Sequence, residues 1–332
     1  MKTFENVSIA SITTMRLGGI ARFVIDIERP EEIAEAYDFA KFNRLPVFVL
    51  GSGANTIGRD EGFPGVIIRN RMTGITVSGD SIHAMGGEIW DNVVKMSCEY
   101  HLTGIEALSK IPGTAGAAPV QNIGAYGQDI SQVLTNIEVY DTVERVFKIL
   151  SNAELKFGYR KSILNTTERG RYFVVAITLG LKKGQMQPPF YKSLETYIDD
   201  NYEVDLSPAN IRRMVSAIRA DKLPDPVTTP SAGSFFKNVY LKPDEIDDWE
   251  AKGYPVYHGK DGAKVNSGWL IEKAGLSGKV FHGIRVNEKA SLVLINESAK
   301  SYQDLKAARE EIASKVYDKF GFWLEQEPVE IY

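Results

Sequence analysis

Two glycine-rich, uncharged loops carry the residue types best suited to hold a phosphorylated cofactor. The first, residues 111–127 (IPGTAGAAPVQNIGAYG), has four glycines and no charged side chain in 17 residues. Glycine lets the backbone approach a ligand closely, and successive exposed N–H groups form a concave site for a phosphate. The amides of Gln121 and Asn122 could hydrogen-bond a polar ring edge. A purely structural turn is the alternative, but the length, the missing charge and the amide pair favour a cofactor loop.

The second loop, residues 51–55 (GSGAN), follows a short apolar run at residues 46–50 that predicts a buried strand. It looks like the start of the dinucleotide fingerprint G-x-G-x-x-G, but Thr56 replaces the third glycine, and the residues after it cannot form the helix that the motif opens. We therefore expect this loop to run through turns into a strand at residues 66–68. Two such loops, neither of which opens a long helix, indicate one extended diphosphate-bearing ligand gripped between strand ends.

Three polar segments could supply catalytic groups. Residues 157–162 (FGYRKS) contain an arginine beside a glycine and two aromatic residues, and residues 232–238 (AGSFFKN) contain a serine after a glycine. Residues 324–328 (LEQEP) contain two glutamates. Each segment taken alone has a commoner role, because most such arginines and glutamates are solvated and most such serines lie in turns or caps.

The elements that would position these segments can be predicted from periodicity and capping signals. Strands and helices do not alternate regularly, so the predicted fold class is α+β rather than a doubly wound sheet. The predicted elements are a strand pair around residues 13–24, a helix starting at Pro30, strands at 46–50 and 66–68, helices at about 89–100 and 208–219, a break at 222–226, a strand at 291–295, a long helix after Ser301 and a last strand beginning at 322–324.

Composition indicates a cytoplasmic enzyme that acts on small molecules. With 39 Lys and Arg against 43 Asp and Glu, the net charge of −4 disfavours a nucleic-acid or membrane-surface protein. Cys98 is the only cysteine, so no internal disulfide and no cysteine metal site is expected, and a small buried hydrophobe is its predicted role. The first residues lack the apolar core of a signal peptide, and no run approaches the roughly 20 apolar residues of a membrane span.

Eight segments, each weak alone, occur in an order that is specific when taken together. They are residues 14–19 (TMRLGG), 51–55 (GSGAN), 111–116 (IPGTAG), 119–127 (PVQNIGAYG), 157–160 (FGYR), 222–226 (KLPDP), 232–238 (AGSFFKN) and 268–271 (GWLI). Nearly end to end, the chain resembles the UDP-N-acetylenolpyruvoylglucosamine reductase family, flavoenzymes that complete UDP-N-acetylmuramate for bacterial peptidoglycan. Residues 189–193 (PFYKS) resemble the subtype that covers its substrate with a tyrosine-bearing loop.

The resemblance implies a vanillyl-alcohol-oxidase-type FAD-binding module in two parts, residues 1–71 and 72–221, and a substrate-binding domain at residues 222–321. Residues 322–332 could return to the first part. NADPH would reduce the flavin, and flavin N5 would deliver hydride to C3 of the enolpyruvyl ether in UDP-N-acetylglucosamine-enolpyruvate. The FAD is expected to be non-covalent, because no histidine and no cysteine lies in either glycine loop. A monomer without a metal, nucleic-acid or membrane partner is expected.

The resemblance also assigns three catalytic roles. Arg160 matches the guanidinium that binds the substrate carboxylate, a task suited to its planar fork. Ser234 matches the general acid that protonates C2, where position matters more than acidity. Hydride addition at C3 places negative charge on C2 and the carboxylate, which together form an enediolate. Glu327 matches a second group that stabilises this enediolate, through a hydrogen bond from its protonated form. Alignment from Trp323 selects Glu327, whereas alignment from the C-terminal end could favour Glu325, and we take Glu327.

The remaining site residues follow from the same matching. The substrate-binding residues are Tyr159, Tyr191, Lys222, Lys237 and Asn238. The cofactor-binding residues are Gly51, Ser52, Gly53, Ala54, Asn55, Thr56, Pro112, Gly113, Thr114, Gly116, Gln121, Asn122, Gly124, Ala125, Tyr126 and Gly127.

Two positions depart from the family pattern, and two other functions compete with the predicted one. Ala54 stands where many relatives have a hydroxyl, and Ser277 stands where relatives often have a phosphate-facing lysine, for which Lys279 or Lys273 could compensate.

A related flavin oxidoreductase of another substrate class would share both glycine loops. A non-catalytic nucleotide-sugar binding protein would keep the phosphate-holding lysines but would have no reason to combine Ser234 and Glu327 with a flavin site.

Overall fold

The structure, a computed structural model, describes residues 1–259 and 262–332. The chain forms two compact units. The first unit comprises Met1–Asn6, Ala21–Ser52 and Pro64–Asp221, and the second comprises Val7–Ile20, Gly53–Phe63 and Lys222–Tyr332. The change of unit at Asp221 lies directly before the KLPDP segment, where prolines stop a helix from continuing.

Helices and strands are distributed over both units. The helices are α1 (Glu31–Phe42), α2 (Trp90–Glu99), α3 (Lys192–Asp200), α4 (Pro208–Lys222), α5 (Pro243–Ala251), α6 (Ser267–Lys273) and α7 (Tyr302–Phe320). The strands are β1 (Lys2–Ser8), β2 (Ile20–Ile27), β3 (Val47–Leu50), β4 (Thr56–Gly58), β5 (Phe63–Asn70), β6 (Ile75–Ser78), β7 (Ser81–Met85), β8 (Leu102–Thr103), β9 (Gly124–Ala125), β10 (Gln128–Asp129), β11 (Leu134–Asp141), β12 (Val146–Ser151), β13 (Tyr172–Gly180), β14 (Lys182–Lys183), β15 (Ser231–Ser234), β16 (Val239–Tyr240), β17 (Tyr257–Gly259), β18 (Gly262–Val265), β19 (Val280–Phe281), β20 (Ile284–Val286), β21 (Val293–Asn296) and β22 (Val329–Ile331).

Two sheets form the frame of the first unit. One has the order β12-β11-β13-β7-β6 and is antiparallel throughout. Its middle strand β13 (YFVVAITLG) is a nearly continuous apolar run with buried residues on both faces, as expected of a central strand. The other sheet has the order β1-β2-β5-β3, with β3 and β5 parallel. Helix α1 packs on this sheet through Ile33, Ala36 and Ala40.

Helix α4 has the predicted start and the predicted buried face, but it continues to Lys222, beyond the predicted end at about residue 219. The Ser207 hydroxyl accepts a hydrogen bond from the Asn210 N–H at 3.4 Å, and the helix ends at Lys222, two residues before Pro224. Its apolar stripe packs with α3 in one core cluster. The buried residues of that stripe are Ile211, Met214, Val215 and Ile218.

The second unit contains two further sheets and the long helix α7. The sheet orders are β15-β21-β20-β19 and β16-β18-β17, and β22 pairs with β4 in parallel. Helix α7 begins at a capping box in which Ser301 and Asp304 bond each other's backbone N–H groups, and it ends at Gly321, whose φ of +77° is the left-handed conformation that closes a helix. Leu305 and Ile312 are buried, as predicted.

Several predicted boundaries were wrong. The strand pair expected around residues 13–24 is formed by β1 and β2, because a short 3-10 turn and loops occupy most of residues 9–19. The last strand does not begin at residues 322–324. There, Trp323 is 59% exposed, and regular pairing begins after Pro328, which has no N–H to donate. Periodicity also missed the short helices α3, α5 and α6.

Candidate active site

The first half of the loop at residues 111–127 is fixed by backbone hydrogen bonds to the turn that precedes α2. The Trp90 N–H donates to the Gly113 carbonyl at 3.1 Å, and the Gly116 N–H donates to the Gly86 carbonyl at 2.8 Å. A Cβ at position 116 would lie 2.9 Å from that carbonyl oxygen, so glycine is required for this approach. At Gly113, by contrast, no atom lies within 4 Å of the Cβ position, so the backbone there faces open space.

The second half of the loop is a tight hairpin. Strands β9 and β10 pair through Ala125 and Gln128, which leaves Tyr126 and Gly127 as the two central residues of the turn. Both have positive φ, +50° and +87°, which a type I′ turn requires. Gly127 also has no atom within 4 Å of its Cβ position, and the hairpin tip borders a cleft of about 510 Å³.

The two glycine loops approach each other within the first unit. A Cβ at Gly51 would lie 2.9 Å from the Thr114 hydroxyl oxygen and 3.2 Å from the Ala117 Cβ. Glycine at position 51 therefore lets the two loops pack directly against each other, and Gly113 of the first loop opens onto space. This arrangement fits an extended diphosphate cofactor, whose phosphates need close backbone approach.

The continuation of the second loop belongs to the second unit, where backbone crowding dictates its sequence. Gly53 has a φ of +73°, and a Cβ there would lie 2.2 Å from the Ile12 carbonyl oxygen. Thr14 joins this loop to the serine segment, because its N–H donates to the Gly53 carbonyl at 3.1 Å and its hydroxyl donates to the Ser231 carbonyl at 2.6 Å. The Val329 N–H donates to the Asn55 carbonyl at 3.0 Å and brings the C-terminal segment to the same loop.

Asn122 has a different surrounding from the one expected for a side chain that reads a ligand. It is 7% exposed, its Oδ1 accepts from the Ser131 N–H at 3.1 Å, and its Nδ2 donates to the Gly158 carbonyl at 3.2 Å. The amide therefore joins the cofactor loop to the arginine segment. Our expectation that this side chain hydrogen-bonds a ring edge gives way to a role in shaping the loop, and a contact through its backbone remains a proposal.

Arg160 lies on a two-residue turn of its own. Gly158 and Lys161 exchange backbone hydrogen bonds of 3.0 and 3.1 Å, so Tyr159 and Arg160 form the turn between them. Arg160 has a φ of +54°, a conformation that a non-glycine residue adopts at some energetic cost and that is concentrated at functional sites. Its Nη2 donates to the carbonyl of Gly124 at 3.4 Å, which directs the half-buried guanidinium to the cofactor hairpin.

Sequence reasoning missed Arg219, which lies on the buried face of α4. Its Nε is buried and has no hydrogen-bond partner among residues 1–259 and 262–332, and burial lowers the pKa of its guanidinium. Burial also raises the pKa of Tyr126, whose hydroxyl neighbours this guanidinium. The ring of Tyr126 in turn meets the ring of Tyr191 edge-on, with centroids 5.8 Å apart. A signal existed, since Arg219 falls eight residues after Ile211 on an otherwise apolar stripe.

Ser234 is placed by an irregular strand end in the second unit. It is the last residue of β15 and pairs with Val293, while Gly233 before it has a φ of +68° at a shift of register. Phe235 and Phe236 follow and are buried with ring centroids 5.1 Å apart. These two aromatic anchors hold the half-buried Ser234 at a fixed point of the sheet.

The C-terminal segment containing Glu327 runs antiparallel to the residues after Ser234. The Glu327 N–H donates to the Phe235 carbonyl at 2.9 Å, and the Lys237 N–H donates to the Glu325 carbonyl at 2.8 Å. The two glutamates differ in environment. Glu325 is 73% exposed and its carboxylate is paired with the Lys237 ammonium, whereas Glu327 is half-buried.

The other predicted substrate-binding side chains also lie in the second unit, apart from Tyr159 and Tyr191. The Lys222 carbonyl accepts from the Asn287 amide at 3.1 Å. The Asn238 Oδ1 accepts from the Ser267 N–H at 3.2 Å at the start of α6. The Ser277 hydroxyl forms a hydrogen bond with the Ser291 hydroxyl at 2.7 Å.

Within the described residues, no group of three or more metal-ligating side chains is present, and no helix is both long and apolar enough to cross a bilayer.

Comparisons with known proteins identify the family. The family model for an FAD binding domain matches residues 21–149, and the model for the UDP-N-acetylenolpyruvoylglucosamine reductase C-terminal domain matches residues 225–331. The reductase of Alcanivorax borkumensis is 35% identical over 336 residues, covering 98% of this chain and 96% of the relative. The reductase of Nocardia farcinica is 33% identical over 344 residues, covering 98% and 89%.

Similarity of structure agrees with similarity of sequence. A solved structure of UDP-N-acetylenolpyruvylglucosamine reductase from Thermus caldophilus covers 100% of both chains with a TM-score of 0.71 at 23% identity, which shows a shared fold. The predicted α+β fold class is confirmed, with an FAD-binding domain followed by the C-terminal domain of the reductase family. With two of its segments matched by family models and 98% of its length aligned to curated relatives, the chain belongs to the UDP-N-acetylenolpyruvoylglucosamine reductase family.

Proposed function

We propose that this protein reduces the enolpyruvyl ether of UDP-N-acetylglucosamine-enolpyruvate to UDP-N-acetylmuramate, with NADPH as reductant, in the synthesis of peptidoglycan precursors. The observation that carries the proposal is the pairing of the Ser234 and Glu327 segments in a chain that matches an FAD-binding domain. A proton donor and a hydrogen-bonding carboxyl group on adjoining segments suit this reaction, in which negative charge develops on a carbon atom beside a carboxylate and that carbon is then protonated. A monomeric enzyme in the cytoplasm remains our prediction.

The residues that would hold FAD are those of the two glycine loops. Gly113 would present bare backbone to the diphosphate beside Gly51 and Thr114, and the hairpin at Tyr126 and Gly127 would border the ring system. When bound, FAD would supply the two-electron hydride chemistry that links NADPH to the enolpyruvyl double bond.

Three side chains would act on the substrate. Arg160 would bind the carboxylate of the enolpyruvyl group, because a guanidinium offers two parallel N–H donors to a carboxylate. Negative charge develops at C2 as hydride arrives at C3, and a hydrogen bond from protonated Glu327 would stabilise that charge where it appears. Ser234 would then donate its hydroxyl proton to C2 and complete the reduction of the double bond.

Lysine side chains would hold the UDP portion, since a diphosphate needs positive charge on a protein whose net charge is −4. Lys222 and Lys237 are the proposed cations, with Asn238 and Tyr191 as hydrogen-bonding partners. The Lys237 ammonium is paired with the Glu325 carboxylate, so a bound diphosphate would either displace that carboxylate or share the ammonium with it. Arg219 is a further candidate for binding an anionic group of a ligand, because its Nε is buried and has no hydrogen-bond partner among the described residues.

Steady-state turnover tests the proposal. Purified protein with FAD should oxidise NADPH at a rate that depends on the enolpyruvyl sugar, and the product should have the mass of that sugar plus two hydrogen atoms. A colourless protein that binds the sugar nucleotide without FAD would support a non-catalytic binding protein. A yellow protein that oxidises NADPH without responding to the sugar would point to another substrate class.

A further inference from the structure

Gln326 is the residue directly before the proposed catalytic Glu327, and both ends of its side-chain amide are engaged. Its Oε1 accepts from Arg309 Nη1 at 2.7 Å, and its Nε2 donates to the Pro328 carbonyl at 2.9 Å and to Glu330 Oε1 at 3.3 Å. One amide therefore spans residues 326 to 330 and ties this segment to helix α7.

The groups around Gln326 form a partly buried network of hydrogen bonds. Arg309 Nη1 also donates to Glu330 Oε1 at 3.1 Å, and the Tyr302 hydroxyl donates to the same oxygen at 2.8 Å. Arg59 Nε donates to the other oxygen of Glu330 at 2.8 Å. Burial alone would raise the pKa of Glu330, but hydrogen bonds from Arg59 and Tyr302 outweigh it and hold that pKa below its usual range. The carboxylate thus stays charged near neutral pH and keeps both arginines in place.

The network has a direct geometric consequence for Glu327. In an extended segment, consecutive side chains point to opposite faces. Because the Gln326 side chain is tied to α7 on one face, Glu327 is directed to the other. The backbone on both sides is fixed as well, since Gln326 forms a β-bridge with Phe236 and the Glu327 N–H donates to Phe235. With the backbone paired and the neighbouring side chain fixed, Glu327 has little freedom to shift.

We infer that Gln326, held by Arg309 and Glu330, is a positioning residue that sets the direction of the Glu327 carboxyl group during substrate reduction. This inference rests on the proposed role of Glu327. An interaction made in the transition state depends steeply on placement, and an error of about 1 Å costs on the order of 10²-fold in rate. Losing the amide contacts of Gln326 should therefore slow the step that uses Glu327 and leave the other steps unchanged.

A double-mutant cycle in the FAD-bound protein tests this inference. Gln326→Leu keeps the approximate size of the side chain and removes its hydrogen bonds. We expect it to slow flavin reoxidation by the enolpyruvyl sugar on the order of 10- to 100-fold, with flavin reduction by NADPH and sugar affinity changed less than about twofold. In a Glu327→Gln background, the same substitution should have little further effect, because the group it positions is already disabled.

A matched control and a readout that does not need turnover complete the test. Gln303→Leu makes the same change at an exposed position of α7 and should leave all rates unchanged. Amide hydrogen exchange in the segment containing residues 325–331 should be faster in Gln326→Leu than in Gln303→Leu, whether or not the sugar is the substrate. Equal slowing of both half-reactions, an undiminished effect of Gln326→Leu in the Glu327→Gln background, or unchanged exchange would overturn the inference. Absence of turnover in the unmodified protein would instead reject the proposed function.

Discussion

Glu325 and Glu327 are two residues apart on an extended segment, yet their surroundings suit them to different tasks. Glu325 is 73% exposed and neutralises the Lys237 ammonium, and Glu327 is half-buried beside the serine segment. Alignment alone leaves either glutamate open as the catalytic group. The ion pair gives Glu325 a role of its own and favours Glu327 for chemistry.

Exchange of each glutamate for glutamine separates these roles. Glu327→Gln should slow flavin reoxidation by the enolpyruvyl sugar on the order of 10²- to 10³-fold with little change in sugar affinity, because its hydrogen bond strengthens only as charge develops on the substrate. Glu325→Gln, the matched control, should change that rate only slightly. Rapid-mixing measurements of the two half-reactions decide this, and a severe defect in Glu325→Gln beside a normal Glu327→Gln would reverse the assignment.

Ser234 belongs to the same half-reaction. Ser234→Ala should slow flavin reoxidation on the order of 10²- to 10⁴-fold and leave flavin reduction by NADPH nearly intact, because a proton donor is needed only when the substrate carbon is protonated. Ser298→Ala, on an exposed loop of the second unit, provides the control. Stopped-flow traces in which both halves slow equally would mean that Ser234 is a structural residue.

At the scale of elements, α2 and α4 are joined by a charged pair that predicts a pH dependence of stability. Arg212 donates from both terminal nitrogens to Asp91 at 2.6 and 2.8 Å, and the Lys110 ammonium lies 3.0 Å from the same carboxylate. Burial raises the pKa of Asp91, but these hydrogen bonds outweigh it and hold the pKa well below its usual range. Since the folded-state pKa is depressed, the stabilisation is complete above the unfolded-state pKa of about 3.9 and is lost as the pH falls through the folded-state pKa.

Asp91→Asn tests this coupling. We expect it to lower the stability of the protein by on the order of 2 kcal/mol at pH 7, with the difference from the unmodified protein shrinking as the pH falls below about 4. Thermal unfolding midpoints across this range provide the measurement. Asp38→Asn removes an exposed pair with Arg145 and should have little effect. A deficit in Asp91→Asn that stayed constant down to the lowest pH would contradict the assigned ion pair.

The elements that could be predicted from the sequence are those with a strong local signal. Helices α1, α4 and α7 carry long apolar stripes and start signals, and the absence of a helix after Gly51 followed from Thr56. The last strand was misplaced because its pairing partner β4 lies more than 250 residues away in the chain, and no local pattern encodes that contact. In the site, residue types pointed to Arg160 and Ser234 only in combination. The dual engagement of Asn122 and the burial of Arg219 depend on tertiary packing and gave at most a faint signal.

On the scale of the whole molecule, a flavin held by two glycine loops should leave the protein when the fold is destroyed. His83, His101, His258, His282 and Cys98 all lie outside residues 51–55 and 111–127. Cys98 is buried, and burial raises the pKa of its thiol to about 12, so it stays protonated and unreactive near neutral pH. Acid precipitation should therefore release all the yellow colour into the supernatant, and colour remaining in the pellet would contradict a non-covalent cofactor.

We propose that this chain carries electrons from NADPH to the enolpyruvyl ether through FAD in two separable steps. Anaerobic mixing of the NADPH-reduced protein with UDP-N-acetylglucosamine-enolpyruvate tests it most directly. We predict that the visible flavin absorbance returns in a single turnover, with one UDP-N-acetylmuramate formed for each flavin reoxidised. A reduced flavin that persists in the presence of the sugar, or reoxidises without forming this product, would contradict the account.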